Sequence, residues 1–252
     1  MTDVWSATAG VEGAVGVVLV HGSLDRSAGL LKLSRRLDHR FRVTRYDRRG
    51  YGRSRPHDGP FDMDAHVDDL FRVVEACAAD RVVVFGHSYG GNVALALVDR
   101  HPGVVDGVIS YESPHSWQPW WPTDSAGGDA VSWAHDPGEA AERFMRHLLG
   151  DERWGRLSSA SRAARREEGV AMVAELTDLR RRPPWRAEAV TVPVLAQRGE
   201  LARDHHRLGT EALAEALPDA AVDVVPGARH FGPNTHADAV AQRVTEFVER
   251  VT

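Results

Sequence analysis

The chain has 252 residues, a formal net charge of −5 and a single cysteine, Cys77. This length accommodates one large domain, with or without an insert, and one cysteine excludes an intramolecular disulfide and a cysteine-based zinc site. The weak acidity argues against nucleic acid or an anionic membrane as a partner, because both require a basic patch. No signal peptide precedes the first apolar run, and no apolar stretch reaches roughly 18 residues, so we expect a cytoplasmic protein.

Strand and helix patterns alternate through the first part of the chain. Apolar or alternating runs predict strands at residues 16–20, 41–46, 81–85 and 104–111. Helical spacing of apolar residues predicts helices at residues 27–37, 62–77 and 92–100. This alternation predicts a mostly parallel α/β sheet that is flanked by helices.

The alternation stops after residue 114. Residues 115–190 contain no convincing strand pattern, and two helices are predicted there, at 137–149 and 160–181. Charged residues of both signs interleave around the second helix, a pattern that predicts a solvated, salt-bridged face. They are Arg162, Arg165, Arg166, Glu167, Glu168, Glu175 and the arginines at 180–182.

Strand patterns resume after this segment, at residues 190–196 and 221–225. Thr235, with Asp238 three residues later, resembles a capping box that opens a last helix ending near Val251. The predicted organisation is therefore one core and one helical insert, with the core at 1–114 and 191–252 and the insert at 115–190.

A G-x-S-x-G motif, Gly86-His87-Ser88-Tyr89-Gly90, joins a predicted strand to a predicted helix. At such a turn the central residue adopts a strained conformation, and its neighbours must be glycine because two backbones approach closely. The turn lifts the Ser88 hydroxyl above the sheet and directs the Tyr89 N–H, at a helix N-terminus, toward developing negative charge. Ser88 is therefore the predicted nucleophile, and Tyr89 is a predicted oxyanion-hole donor.

On these residues the chain resembles the α/β-hydrolase-fold family. His21-Gly22-Ser23 is similar to the oxyanion loop of the family, residues 47–54 to its DxRGxGxS stretch, and residues 227–231 to its histidine loop. The resemblance implies an α/β-hydrolase fold in which the insert is a helical lid. It also implies Ser23 as the second oxyanion donor, with Leu24 as the alternative, and His230 as the general base.

The acidic residue that should orient the His230 imidazole departs from the family pattern. The family places an acid as G-x-x-D, whereas this chain has Gly199-Glu200-Leu201-Ala202, and an alanine cannot orient an imidazole. Glu112 is our preferred substitute, because it follows the strand after the nucleophile helix, where some branches of the family place their acid. Asp204, two residues beyond Ala202, is the alternative. Both lie at the carboxyl edge of the predicted sheet, where sites on open α/β sheets form. A purely structural role for Glu112 also stays open.

Most of the seven tryptophans fall in the insert. Trp117, Trp120 and Trp121 follow Glu112 closely, as does His115, and we predict that these four line an apolar substrate pocket. The alternative is that the rings anchor the insert to the core. The Asp204-His205-His206 run lacks a third ligand at suitable spacing, so we predict no metal site and take these residues as exposed ones that open a helix.

The leading hypothesis is a serine hydrolase that cleaves an ester, lactone or thioester of a largely apolar small molecule through an acyl-enzyme on Ser88. This chemistry needs no cofactor. One alternative is a C–C bond hydrolase or lyase that uses Ser88 and His230 as an acid/base pair. Another is a non-catalytic protein that binds a small molecule on the same fold. We expect a monomer or a homodimer.

Overall fold

One mixed sheet forms the centre of the computed structural model, which describes residues 4–252. The strands within this range are β1 Ser6–Gly10, β2 Gly16–Val20, β3 Arg42–Tyr46, β4 Val82–His87, β5 Gly107–Tyr111, β6 Val194–Gly199 and β7 Ala220–Val225. Their order is β1-β3-β2-β4-β5-β6-β7. β1 pairs antiparallel with β3, and the other five pairings are parallel, so the predicted mostly parallel sheet is confirmed.

The edge strand β1 is the strand that the hydropathy pattern does not reveal. Four of its five residues are exposed, so it lacks the apolar alternation of a half-buried strand. It is held by ladder pairing from Ser6 opposite Tyr46 to Gly10 opposite Arg42. An edge position explains the polar sequence, because one long side of the strand has no neighbour.

Helices cover both faces of the sheet. Within residues 4–252 they are α1 Leu31–Leu37, α2 Met63–Ala76, α3 Tyr89–Arg100, α4 Ala126–Ser132, α5 Pro137–Leu149, α6 Asp151–Arg156, α7 Ser159–Glu167, α8 Gly169–Arg181, α9 Asp204–Ala216, α10 Gly232–Thr235 and α11 Ala237–Val251. None of them is long and apolar enough to cross a membrane. Helices α4 to α8 lie in the insert, where the described chain has no strand.

Two helix predictions are wrong in detail. The helix predicted at 160–181 is two helices that meet at Glu168. Gly169, at this junction, packs so closely on the start of α5 that a Cβ there would lie 1.9 Å from the Pro137 carbonyl oxygen. The predicted capping box does not form. Thr235 ends α10 and its hydroxyl donates to the Phe231 carbonyl (3.1 Å), while the last helix begins at Ala237.

The carboxyl ends of the central strands β2, β4 and β5 lie at one edge of the sheet. Every residue of β2, β4 and β5 is buried, with Val18 and Val20 packing toward α2, α3 and the insert, and Val17 and Leu19 toward α1 and α11. The strands are parallel, so their carboxyl ends lie side by side. The residues that follow β4 and β5 therefore emerge next to each other at the edge where α/β sheets bind ligands.

Candidate active site

Ser88 occupies the strained turn that the sequence predicts. It follows β4 directly and has φ 54° and ψ −124°, a region that a residue with a side chain rarely adopts. Its N–H donates to the Tyr111 carbonyl oxygen (2.8 Å). A Cβ at Gly86 would lie 2.4 Å from the Gly90 carbonyl oxygen, and one at Gly90 would lie 2.4 Å from the Val20 carbonyl oxygen. Only glycine fits these two flanking positions.

Glu112 lies beside His230. The Oε2 atom of Glu112 is 2.8 Å from Nδ1 of His230, and Oε1 accepts from the Gly199 N–H (3.0 Å). Glu112 is 1% exposed, whereas the side chain of Asp204 is 93% exposed on the first turn of α9. A carboxylate accepts hydrogen bonds, so Nδ1 of His230 carries the hydrogen and Nε2 keeps the lone pair. The structure therefore brings Glu112, and not Asp204, to the imidazole.

Two further histidine rings lie against His230. The ring of His87 has its centroid 4.8 Å away, and the ring of His206 stacks at 4.7 Å with planes 26° apart. Nε2 of His87 donates to the His230 carbonyl oxygen (2.8 Å). Burial lowers the pKa of His87 to about 3, and burial followed by the charge of His230 lowers the pKa of His206 well below its ordinary value. His230 therefore lies between two neutral rings.

His206 corrects the prediction that this residue is merely exposed. His206 is in the first turn of α9, as predicted, but its Nδ1 atom is buried with no hydrogen-bond partner in the described part of the chain. Nothing in the local pattern distinguishes it from His205. Only the position of α9 after β6 brings its ring onto the histidine loop, which sequence spacing does not encode.

Glu112, His206 and His230 lie close enough together to be compared with a metal site. One ligand atom each from Glu112, His206 and His230 lies within 4.8 Å of the others. The two rings are stacked, however, so their in-plane lone pairs run side by side and do not converge on one point. Glu112 and His230 also share a hydrogen bond already. The arrangement suits an oriented histidine better than a metal centre.

The loop that contains Ser23 passes directly over the nucleophile. A Cβ at Gly22 would lie 2.9 Å from the Cβ of Ser88, so glycine allows this close approach. Ser23 lines the cavity above Ser88, and its hydroxyl is buried with no partner among residues 4–252. Leu24, the alternative donor, has a positive φ of 50° and is buried, and its carbonyl oxygen accepts from Arg165 of α7 (2.6 Å).

A buried ion pair holds this loop from below. Arg48 donates from Nε to the His21 carbonyl oxygen (3.0 Å) and from Nη2 to the Gly22 carbonyl oxygen (3.1 Å). Its guanidinium also contacts both carboxylate oxygens of Glu175 on α8, at 2.7 and 3.2 Å. Burial opposes the charge of Glu175, but the charge of Arg48 and hydrogen bonds from His66 and Arg48 hold its pKa well below the usual range. The insert thus supports the backbone beside Ser88.

Two glutamates of the predicted solvated face are buried in the structure. Glu175 and Glu168 are both 0% exposed. Glu168 accepts from Arg26 (2.8 Å) and from the Gly52 N–H (2.9 Å), and it pairs with Arg165 (3.1 Å). The prediction is wrong here because each carboxylate turns inward to a cation of the DxRGxGxS region or its neighbouring loop, far away in sequence.

A cavity of about 460 Å³ opens above Ser88 and His230. Core and insert both contribute to its wall. Its apolar lining residues include Trp121, Phe144, Leu148, Leu176, Leu201 and Phe231. Its volume falls in the range of small-molecule sites.

Of the four predicted pocket residues, only Trp121 lines this cavity. His115 is buried and stacks on Trp117 (4.9 Å between centroids), which packs edge-on against Trp185 (5.9 Å). The indole N–H of Trp185 donates to Oδ1 of Asn92 on α3 (3.0 Å). These rings therefore pack the insert onto the core, while Trp120 is 40% exposed. The anchoring alternative therefore describes two of the four residues, His115 and Trp117.

Known proteins share both the sequence pattern and the architecture. Residues 17–243 match the sequence profile of the alpha/beta hydrolase family. The chain is 24% identical over 251 residues to 2-(acetamidomethylene)succinate hydrolase from Mesorhizobium japonicum, covering 92% of this chain and 87% of that protein.

Solved structures share the same fold. Bromoperoxidase from Bacillus anthracis superposes with a TM-score of 0.79 at 20% identity, over 98% of this chain and 95% of that one. The enol-lactonase from Burkholderia xenovorans gives 0.75 at 21%, over 98% and 96%. The chain belongs to the α/β hydrolase family.

Proposed function

We propose that the protein is a serine hydrolase that cleaves an ester, lactone or thioester of a small molecule through an acyl-enzyme on Ser88. The observation that carries the proposal is the 2.8 Å contact between Glu112 and His230 at the same sheet edge as the strained Ser88. A buried carboxylate, an oriented imidazole and a serine on a strand-to-helix turn are the three parts that activate a hydroxyl.

In this mechanism the Ser88 Oγ attacks the carbonyl carbon while Nε2 of His230 takes its proton. Glu112 stabilises the imidazolium, and the N–H groups of Ser23 and Tyr89 hold the negative oxygen. The tetrahedral intermediate collapses as His230 protonates the leaving oxygen or sulfur. A water molecule then attacks the acyl-enzyme and gives its proton to His230, which passes it to the Ser88 Oγ as the acyl–oxygen bond breaks and the acid leaves.

The neighbouring rings support His230 as the group that accepts the proton. The lowered pKa values of His87 and His206 keep both rings neutral through the neutral pH range, so neither adds a positive charge next to a developing imidazolium. Arg48 supports the oxyanion loop through its carbonyl oxygens. Loss of one hydrogen-bond donor from an oxyanion hole typically raises the activation barrier by about 2.7–4 kcal/mol.

The wall of the cavity supports a largely apolar acyl part. Trp121 and Phe144 face it from the insert, and Phe231 faces it from the histidine loop. We propose that the insert acts as the lid over this acyl group. The names of two relatives, a succinate-derivative hydrolase and an enol-lactonase, agree with bond cleavage by hydrolysis.

A fluorophosphonate probe tests the proposal directly. The native protein should be labelled covalently, and Ser88→Ala should not. Ser116→Ala is the matched control, since Ser116 lines the same cavity, and it should label as the native protein does. Absence of labelling on folded native protein would refute a serine nucleophile.

A pre-steady-state assay with a 4-nitrophenyl ester tests the acyl-enzyme step. A burst of nitrophenolate equal to the enzyme concentration is expected when deacylation is slower than acylation. Labelling of Ser88 without cleavage of any ester or thioester would favour the acid/base alternative, the C–C bond hydrolase or lyase.

A further inference from the structure

The charges around the cavity are unbalanced. Glu112 supplies the only carboxylate in its lining within the described chain, and both its oxygens are used, by Gly199 and His230. Three arginines line the same cavity. They are Arg153 of α6, Arg203 before α9 and Arg229 of the histidine loop.

These three arginines have no acidic partner. In residues 4–252, no carboxylate lies within 4.0 Å of their guanidinium nitrogens. Acidic residues nearby in sequence are engaged elsewhere. Asp151 and Glu152 pair with Arg146 and Arg156, Asp204 faces Arg207 at 3.9 Å, and Glu200 accepts from the Gly227 N–H (2.8 Å). Asp124 and Asp204 line a shallow groove next to the cavity together with Arg203 and Arg229, but neither carboxylate lies within 4.0 Å of these two arginines.

Arg180 adds a fourth unpaired cation behind the wall. It is half-buried on α8, its Nη2 donates to Oγ of Ser125 (3.2 Å), and its Nε is buried with no partner in the described chain. Ser125 and Gly127 line the cavity, and a Cβ at Gly127 would lie 3.8 Å from Nη2 of Arg180. A guanidinium taken out of water without a counter-ion is unfavourable unless an anion approaches it.

Three other buried or half-buried arginines near the site behave differently. Arg48 meets Glu175, Arg49 meets Asp69 in a two-bond contact, and Arg165 meets Glu168. The two buried arginines, Arg48 and Arg49, are thus both paired with a carboxylate, whereas the half-buried Arg198, like Arg180, has an Nε without a partner in the described chain. The arginines that line the cavity are exposed and, within residues 4–252, have no carboxylate partner, so an anion bound in the cavity can reach them.

We propose that the substrate carries a free carboxylate at the end of its apolar acyl part. Arg180 and the cavity-lining arginines Arg153, Arg203 and Arg229 would bind this carboxylate and so select the substrate. This inference rests on the proposed function for the bond that is cleaved, and it narrows the substrate to a half-ester, lactone or thioester of a dicarboxylic acid. Guanidinium groups bind carboxylates through charge-assisted hydrogen bonds, which apolar walls strengthen.

Two esters that differ in this one group provide the kinetic test. The mono-4-nitrophenyl ester of glutaric acid carries the carboxylate, and 4-nitrophenyl hexanoate of similar length does not. We expect kcat/KM at low salt to favour the glutarate ester by about tenfold or more, the size of one charge-assisted hydrogen bond. The preference should fall in Arg180→Gln and in the double variant Arg203→Gln/Arg229→Gln, and it should shrink as salt is added.

Arg35→Gln is the matched control, because Arg35 is an exposed arginine on α1 that does not line the cavity. Its ester preference should equal that of the native protein. The double variant changes exposed residues only and keeps the test valid if Arg180→Gln does not fold. An equal or higher kcat/KM for the hexanoate ester in the native protein would overturn the proposal.

A binding measurement separates this inference from the proposed reaction. Calorimetry on Ser88→Ala, which cannot form an acyl-enzyme, should detect glutarate but not the neutral glutaramide, and the arginine variants made in Ser88→Ala should bind glutarate more weakly. Equal binding of the acid and the amide would refute the carboxylate site even if Ser88 is the nucleophile. Selective binding of glutarate by a protein that no fluorophosphonate labels would uphold the site and refute the reaction.

Discussion

Two glutamate–histidine contacts lie within residues 4–252, one in the core and one between core and insert. In the core, Glu112 meets His230 at 2.8 Å, and 17% of the His230 side chain is exposed to the cavity. Under the oxyanion loop, Glu175 of α8 meets His66 at 3.1 Å, and both side chains are fully buried. The residue types are the same, but the surroundings differ.

The difference is the presence of Arg48. Arg48 neutralises Glu175, and burial followed by the charge of Arg48 lowers the pKa of His66. In the second contact, Glu175 therefore forms its ion pair with Arg48, and His66 is a neutral histidine beside that pair. Glu112 has no arginine partner within the described residues, so His230 is the group that can gain a charge there. A Glu–His contact can thus serve proton transfer or support the fold, according to whether another cation already occupies the carboxylate.

The largest expected effect comes from Glu112→Gln. The amide can no longer stabilise an imidazolium and can favour the wrong tautomer of His230, so kcat should fall by about 10⁴-fold, as in triads with the corresponding change. Steady-state hydrolysis of a 4-nitrophenyl ester provides the measurement. Asp204→Asn is the control, because its exposed side chain on α9 has no contact with His230, and its kcat should stay within about twofold of the native value. Near-native turnover by Glu112→Gln with loss in Asp204→Asn would reverse the assignment.

Glu175→Gln should act mainly on stability. It leaves Arg48 charged, buried and unpaired, which typically lowers the free energy of unfolding by about 3–5 kcal/mol. Urea denaturation at neutral pH measures this change. Glu167 lies in the same insert and is the exposed ion-pair partner of Arg55. We expect Glu167→Gln to lower the free energy of unfolding by about 0–1 kcal/mol. Similar losses in the two variants would contradict a special role for the buried pair.

The smallest expected effect is on the pH dependence of the free energy of unfolding, to which His66 contributes. Its pKa is lower in the folded protein than the unfolded value of 6.5, so below that value the unfolded chain binds a proton that the folded protein does not. Stability due to this group is complete above pH 6.5 and declines as the pH falls. His66→Gln keeps a donor near Glu175 but cannot titrate, so its unfolding free energy should fall less steeply with acidification, by up to about 1.4 kcal/mol per pH unit.

Unfolding curves at several pH values between 5 and 8 check this expectation. His135→Gln, at an exposed position of the insert, should follow the native curve. A native slope in His66→Gln would show that the proton uptake belongs to other histidines.

The comparison also explains what could be predicted from the sequence. The G-x-S-x-G motif between a strand and a helix predicts Ser88, and the resemblance to family branches with an acid after the next strand implies Glu112. The pattern of charges predicts a solvated face for Glu175, because its partner Arg48 lies 127 residues away in sequence and helical spacing carries no information about such a contact. The sequence does not predict β1 for a related reason, since an edge strand that buries almost nothing leaves no hydropathy pattern.

The charged contacts of α7 and α8 have a consequence for how the cavity opens. Glu168 is bound to Arg26, Arg165 reaches the Leu24 carbonyl oxygen, and Glu175 is bound to Arg48, so these two helices are fastened to the loops around Ser88. Moving them would break buried ion pairs and displace the oxyanion loop at the same time. We expect the path for substrate and product to run instead past α5 and α6, whose Phe144, Leu148 and Arg153 border the cavity. A path on this side leaves the contacts of α7 and α8 with the loops around Ser88 intact.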